Sequence, residues 1–300
     1  MNARGMTAFV FAGGSSLGAI QVGMLKTLVR RGISPDFVVG SSAGAINAAY
    51  FASNPTASGV GEMERLWRGL RRDDIFDVSP LRSLWRLVVR HDHVVSPAGL
   101  EKVLSASFPI RRLEEGTLPC CIVTTDMLTG CEYRIRSGPT VPALIASAAI
   151  PGVFPPMHLH DKYLVDGGVT SHTPLPAAID LGARVIYVLP TGHSCSLPRP
   201  PRTAISNALH GLNLLIVQQL KDAVRHCQGR AEIRIVPPPC PQDVSPYDFS
   251  RAAELIERAE GLTDQWLDEG VDMVDGVPHQ LTLHTHENAA NPFGPHWHAA

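Results

Sequence analysis

A serine flanked by glycines is the residue of this sequence with the clearest chemical potential. Ser42 lies at the centre of Gly40-Ser41-Ser42-Ala43-Gly44, directly after the apolar segment Phe37-Val38-Val39. A G-x-S-x-G pattern between a strand and a helix is typical of a nucleophilic serine on a sharp turn, where glycines avoid clashes between the flanking residues. The dipole of the following helix would favour negative charge developing on Ser42. A glycine-rich turn with a serine N-cap is the alternative interpretation.

A second glycine-rich turn, Gly13-Gly14-Ser15-Ser16-Leu17-Gly18, also follows an apolar segment and precedes a helical pattern. Its backbone N–H groups could hold a phosphate or an oxyanion. A dinucleotide site would require an acidic residue at the end of the second strand, but Asp36 precedes that strand. Two glycine-rich turns after neighbouring strands therefore favour one acyl-transfer site, with oxyanion donors on the first turn and the nucleophile on the second.

The third candidate is Asp166-Gly167-Gly168, directly after the strand-like segment Tyr163-Leu164-Val165. Two glycines let the backbone turn away from the strand end, which would leave the Asp166 carboxylate aimed into the site. Asp-Gly is also one of the commonest turn dipeptides, so this motif alone indicates little.

The elements that must position these residues follow an alternation of short apolar segments and helical patterns, which predicts parallel βαβ units. Segments 120–125 and 132–135 form a hairpin-like pair, and 62–108 is helical with breaks at 73–78 and near Pro97, as in a cap. The other predicted strands are 8–12, 37–39, 163–165, 185–189 and 232–236, and the other predicted helices are 18–31, 43–52, 141–148, 175–181, 204–227 and 251–269.

The composition is that of a globular chain: 300 residues, 44% hydrophobic and 18% charged, with a formal net charge of −2. Such a balance gives no global attraction to nucleic acid, and no apolar run is long enough to span a membrane. Without a secretion signal we expect a cytoplasmic protein with reduced cysteines. Periodicity stops after Gly270, so we expect one domain over 1–270 and a flexible tail over 271–300.

The three motifs, in this order, resemble the patatin-like phospholipase family over roughly residues 7 to 270. Segment 146–156, ASAAIPGVFPP, is similar to the family's segment leading into the aspartate strand. The resemblance implies a three-layer α/β/α fold with a mostly parallel central sheet and a helical cap. It also implies a serine lipid acyl hydrolase, acting on phospholipids, lysophospholipids or neutral lipid esters through an acyl-enzyme, with no metal or organic cofactor.

The resemblance assigns a role to each motif. Ser42 is the nucleophile on an elbow formed with Gly40 and Gly44, and Asp166, followed by Gly167 and Gly168, is the base of a Ser-Asp dyad. The N–H groups of Gly13, Gly14 and Ser15, in the loop that Gly18 completes, are the oxyanion donors.

The loop departs from the family pattern G-x-G-x-[RK]-G in two places: Ser15 replaces its second glycine and Leu17 replaces its basic residue. Ser15 keeps a backbone N–H, provided that it adopts the dihedral angles of the glycine. Losing the cation predicts a weaker preference for phosphate head groups. Two alternatives remain: a catalytically weak lipid-binding or regulatory relative, and a triad α/β-hydrolase esterase using His193 or His210.

Segment 81–90, from Leu81 to Arg90, has a helical pattern with two faces. A basic face opposite a face with tryptophan would suit peripheral membrane contact, and core packing with a solvated arginine face is the alternative.

Four His-x-His pairs, His91/His93, His158/His160, His284/His286 and His296/His298, lack further ligands at familiar spacing, so we expect no metal site.

An apolar set on the 204–227 helix would line an acyl groove or, in the favoured interpretation, enter the core: Leu209, Leu212, Leu215, Ile216 and Leu220.

Overall fold

A computed structural model describes residues 5–76, 95–192, 200, 204–240, 244–270, 273–274, 276–282 and 284. Its strands are β1 (Met6–Phe11), β2 (Phe37–Ser41), β3 (Cys120–Asp126), β4 (Glu132–Ile135), β5 (Met157–Leu159), β6 (Lys162–Asp166), β7 (Ala183–Leu189), β8 (Glu232–Ile235), β9 (Met273–Val274) and β10 (Val277–Pro278). Its helices are α1 (Ala19–Arg30), α2 (Ala43–Ser53), α3 (Ala57–Gly69), α4 (Arg72–Ile75), α5 (Ala98–Ser107), α6 (Thr140–Ser147), α7 (Gly168–Ser171), α8 (Leu175–Asp180), α9 (Ala204–Cys227) and α10 (Ala252–Glu269).

The main sheet has a parallel centre and an antiparallel side. Strand β1 pairs in parallel with β2 on one side and with β7 on the other. Strand β2 pairs in parallel with β3, and β7 pairs in parallel with β8. Strands β4 and β6 are antiparallel to β3, and β5 is antiparallel to β6. The predicted hairpin of β3 and β4 is confirmed, with Thr125 opposite Glu132.

The side chains of β1 alternate between two buried cores, one on each face of the sheet. Phe9 and Phe11 pack with the apolar faces of α1, α2 and α10, whereas Ala8 and Val10 pack with those of α8 and α9. All four side chains are buried, as expected for a central strand covered by helices on both sides. The predicted three-layer α/β/α architecture is therefore confirmed.

Strands β2 and β6 meet end to end beside β3, and this arrangement brings Ser41 and Asp166 together. Val123 of β3 pairs with Ser41, the next residue of β3 pairs with Asp166, and β4 occupies the opposite edge of β3 at both positions. Strands β2 and β6 must therefore share one edge of β3 and run toward each other. Their carboxyl ends, at Ser41 and Asp166, meet there.

The helical region between β2 and β3 contains α2, α3, α4 and α5 among the residues described. Residues 77–94 fall outside the described part, and with them the predicted amphipathic segment 81–90 and the His91/His93 pair. No helix within the described ranges is long and apolar enough to cross a bilayer.

Two expectations for the C-terminal part are corrected. Val277 and Leu281 are buried against Val224 and Cys227, so the chain continues to pack onto the domain beyond position 271, where the flexible tail was expected to begin. The apolar residues of α9 were expected to enter the core. Leu220 does so, but Leu212 and Leu215 are exposed. Residues 285–300 and the side chain of Leu209 lie outside the description.

Candidate active site

The turn that carries Ser42 is a sharp elbow between β2 and α2. Ser42 has φ 55° and ψ −129°, a strained conformation for a residue with a side chain. A methyl group on Gly40 would lie 2.3 Å from the carbonyl oxygen of Gly44, and one on Gly44 would lie 2.4 Å from the carbonyl oxygens of Phe11 and Ala12. Both glycines of the motif are therefore required by close backbone approach, and Ser42 is held directly before the first turn of α2.

Ser42 and Asp166 are hydrogen-bonded to each other. Ser42 Oγ donates to Asp166 Oδ2 at 2.6 Å, and the N–H of Gly168 donates to Asp166 Oδ1 at 2.7 Å. Both side chains are buried. A carboxylate that accepts a hydrogen bond directly from a serine hydroxyl, with its second oxygen fixed by backbone, has the geometry required of a general base.

Burial sets the basicity of the Asp166 carboxylate. Desolvation raises the pKa of Asp166 from an ordinary 3.8 to about 6, against the hydrogen bonds from Ser42 and Gly168, which lower it. Asp166 is thus mostly ionised at neutral pH and is a stronger base than an exposed aspartate. The same environment affects Tyr247, whose pKa is raised by burial and then by the nearby Asp166 charge.

Ser147, at the end of α6, joins the turn that carries Ser42 to β3 and to the residue after β6 through hydrogen bonds. Its Oγ donates to the carbonyl of Val123 at 2.6 Å and accepts from the N–H of Ser42 at 2.9 Å. The N–H of Gly167 donates to the carbonyl of Ser147 at 3.2 Å, and that of Asp166 donates to the carbonyl of Ala149 at 2.9 Å. Through these hydrogen bonds, segment 146–156 holds the Ser42 turn and Asp166 in position relative to each other. No role for Ser147 was predicted from the sequence, although a serine at the end of an otherwise apolar helix is a usable indication.

The glycine loop lies beside Ser42, but its first N–H is already bonded. Gly13 donates its N–H to the carbonyl of His172 at 3.0 Å, so it is not available to an oxyanion, and this part of the expectation is corrected. Within the part of the chain that the structure describes, the N–H groups of Gly14 and Ser15 have no acceptor. Ser15 adopts φ 52°, the left-handed conformation that its glycine counterpart would tolerate more readily. Gly18 ends the short turn before α1.

Two cavities meet at Ser42, and both also contact Ser15 and Ile150. One is narrow, about 70 Å³, and is lined mainly by apolar side chains of the helical region between β2 and β3, including Met63, Trp67, Ile75, Phe76, Leu100 and Leu104. The other is about 340 Å³ and contains Gly14 and Asp166 together with polar side chains, including those of His172, Asn213 and Tyr247. Ser42 thus stands between an apolar slot and a wider, more polar chamber.

One histidine of the site was missed. A methyl group on Gly13 would lie 3.1 Å from His172 Nε2 and 3.2 Å from Ser42 Cβ, so the imidazole is close to Ser42. Of the histidines that the triad alternative named, His193 falls among the undescribed residues, and His210 is not among the residues lining the two cavities. His172 follows Asp166 by six residues, and this proximity in sequence was the available indication.

Metal-ligating residues do not cluster in the described part of the chain. No group of three or more His, Cys, Asp or Glu side chains there is arranged to hold a metal ion. His160, from one of the His-x-His pairs, instead lies 3.3 Å from the Tyr133 hydroxyl through its Nδ1.

Comparison with known proteins agrees with this fold. The family model described as patatin-like phospholipase matches residues 9–179. Patatin-like phospholipase domain-containing protein 7 of Rattus norvegicus is 29% identical over 215 residues, which cover 69% of this chain and 15% of the rat protein. An NTE family protein of Mycobacterium tuberculosis is also 29% identical, over 67% of this chain and 52% of its own.

Among solved structures, VipD from Legionella pneumophila has the same fold, with a TM-score of 0.50 and 14% sequence identity. The match covers 88% of this chain and 67% of VipD. In length, the matched part of this chain corresponds to 15% of the rat protein and to 52% of the mycobacterial protein. Because the family model covers more than half of the sequence, the chain belongs to the patatin-like phospholipase family.

Proposed function

We propose that this protein is a serine lipid acyl hydrolase in which Ser42 and Asp166 form the catalytic dyad. The observation that carries the proposal is the 2.6 Å hydrogen bond from Ser42 Oγ to Asp166 Oδ2 at the junction of two cavities. A triad would place an imidazole between serine and carboxylate, and the direct bond leaves no space for one. Family membership supports lipid esters as the substrate class.

The reaction uses only groups of this chain, the ester and water. Ser42 Oγ attacks the acyl carbonyl while Asp166 takes its proton, and the N–H groups of Gly14 and Ser15 donate to the oxyanion. The ester bond then breaks, and Asp166 gives the proton that it took from Ser42 to the departing alkoxide, which leaves as the alcohol. A water molecule next gives a proton to Asp166 as its oxygen attacks the acyl-enzyme. The acid leaves, and Ser42 Oγ recovers the proton.

The two cavities suit the two halves of an ester. We assign the acyl chain to the narrow cavity, because most of the side chains that line it are apolar. The alcohol part belongs in the wider chamber, which has polar side chains and Asp166. Leu17, in place of the family's cation, is buried in the wall of this chamber and favours a neutral alcohol over a phosphate.

Labelling with a fluorophosphonate tests the proposal. The probe should attach to Ser42, as located by peptide mass spectrometry, and the protein should hydrolyse p-nitrophenyl esters of graded chain length. Ser42→Ala should abolish both. Ser41→Ala is the matched control, because its buried Oγ has no partner among the described residues and should not be needed. Labelling of Ser15, Ser41 or Ser147 instead of Ser42 would contradict the assignment.

A further inference from the structure

Several apolar residues of the wider cavity are exposed at the protein surface. Pro151, Val169 and Leu212 line this cavity and are also exposed to solvent, Val169 by 51% and Leu212 by 50%. Leu215, one turn further along α9, is 64% exposed. We call these four residues the apolar rim. Gln219 Nε2 donates to the carbonyl of Val169 at 3.3 Å, which joins α7 to α9 and keeps the two sides of the rim together.

The segments that form the apolar rim carry no charged side chain. Residues 137–160, 167–179 and 203–220 contain no Asp, Glu, Lys or Arg, in a chain that is 18% charged overall. Exposed helix faces ordinarily carry charges, and large apolar side chains grouped on a surface mark a contact site. A surface that remains both exposed and uncharged around a cavity opening therefore needs a partner to explain it.

The chemistry of the rim selects among partners. An anionic membrane would be recognised by Lys and Arg, and these segments contain neither. A protein partner usually meets an apolar centre surrounded by polar and charged residues. An uncharged lipid surface requires only apolar side chains that insert between lipids around the opening. Three of the four rim residues, Pro151, Val169 and Leu212, also line the chamber that contains Ser42, so a lipid held at the rim would lie next to that chamber.

We propose that the apolar rim docks the protein onto uncharged lipid surfaces, neutral or zwitterionic, so that esters pass from the lipid phase into the chamber. The inference rests on the proposed function for the identity of the substrate, but the docking itself does not require catalysis. It differs from contact through the basic segment 81–90, because docking by apolar insertion is insensitive to salt, whereas electrostatic attraction weakens as salt rises.

Vesicle flotation tests the rim. The full chain should float with phosphatidylcholine vesicles equally well at about 50 mM and about 500 mM NaCl, a range over which electrostatic binding would be strongly screened. Leu215→Asp places a charge in the inserted surface and should lower the partition coefficient at least about tenfold. Leu215 does not line either cavity. Leu128→Asp is the matched control, because Leu128 is 75% exposed in the β3–β4 turn and outside the rim.

The outcomes test the rim proposal and the proposed function separately. Unchanged flotation of Leu215→Asp, an equal loss with Leu128→Asp, or release of the wild type by salt would overturn the rim proposal. So would a dimer in size-exclusion chromatography that Leu215→Asp dissociates, because the rim would then be an interface between copies of this chain. Hydrolysis of the soluble p-nitrophenyl acetate is measured in parallel. Its absence in the wild type would contradict the proposed function and leave the flotation result to decide on docking.

Discussion

At the scale of single residues, the buried carboxylate of Asp166 determines the expected pH dependence. A base must be ionised to accept the Ser42 proton, and burial raises the pKa of Asp166 to about 6. We therefore expect kcat/KM for a soluble ester to be lost as the pH falls through about 6 and to level off above it. Asp166→Asn should lose at least about a hundredfold in turnover. A wild-type profile that stays flat down to about pH 4.5 would indicate an ordinary exposed base instead.

The same burial predicts an effect on stability. The folded state binds the Asp166 proton more tightly than the unfolded chain, where the pKa is 3.8, so the stability that this residue provides is present at low pH. It is lost as the pH rises from about 4 to about 6. Because asparagine cannot ionise, Asp166→Asn should raise the free energy of unfolding above about pH 6.5 by about 1–3 kcal/mol.

Urea denaturation near pH 4 and near pH 7.5 would measure this difference. The gain from Asp166→Asn should shrink toward the lower pH, where the wild-type carboxyl is also neutral in the folded state. An equal difference at both pH values would mean that Asp166 ionisation does not contribute.

His172 distinguishes a dyad from a triad. Its imidazole is near Ser42, yet Ser42 donates directly to Asp166, so the proton has no need to pass through the ring. His172→Gln should keep kcat/KM within about fivefold, well short of the hundredfold or more expected for losing a general base. Stopped assays of purified variants at matched pH would compare the two substitutions. A loss in His172→Gln as large as that in Asp166→Asn would favour a triad that uses His172, a residue different from the His193 and His210 considered from the sequence.

At the scale of elements, the elbow depends on how closely α2 approaches β1. A methyl group on Gly44 would lie 2.4 Å from the carbonyl oxygens of Phe11 and Ala12, and backbone cannot move aside as a flexible side chain can. Gly44→Ala should therefore displace α2, lower the free energy of unfolding by about 1–3 kcal/mol and reduce kcat at least about tenfold. Thermal denaturation and ester hydrolysis would measure both.

Gly61 provides the control for this substitution. It lies in α3, and a methyl group there would meet nothing within 4 Å. Gly61→Ala should leave activity unchanged and stabilise the helix slightly, by about 0.5 kcal/mol. Equal effects of the two substitutions would refute the role of close packing at the elbow.

Element periodicity predicts most of this fold. The strands at the centre of the sheet and the helices that cover it fall within a few residues of the pattern, because each central strand is continuously apolar and each helix has one apolar face. Strand β5 and helix α7, with three and four residues, are too short to produce a periodic pattern. The end-to-end meeting of β2 and β6 was also missed, because hydrophobic alternation is the same in either strand direction.

Part of the candidate site could likewise be predicted from the sequence, and part could not. Ser42, Asp166 and their glycines follow from local motifs at strand ends. The bond between Gly13 and the His172 carbonyl, and the two hydrogen bonds of Ser147, join segments distant in sequence and depend on the tertiary arrangement. No local pattern carries that information.

At the scale of the whole molecule, the distribution of charge around the chamber predicts the head-group preference. None of the described residues that line the wider cavity is Lys or Arg, and Leu17 is buried in its wall where the family has a cation. A phosphate entering this chamber would find no such partner and would face the Asp166 carboxylate. The missing charge-assisted contact is worth roughly 1.5–3 kcal/mol, or about ten- to a hundredfold in binding.

We therefore expect kcat/KM for octanoylglycerol to equal or exceed that for lysophosphatidylcholine with the same acyl chain. The ratio kcat/KM is the right measure, because it reports differential stabilisation of the two transition states. Soluble substrates below their micelle concentration separate this preference from docking at the apolar rim, since no lipid surface is then present. A tenfold or greater preference for the phospholipid would show that a cation outside the described lining reaches the chamber, and that the Leu17 substitution does not set head-group selectivity.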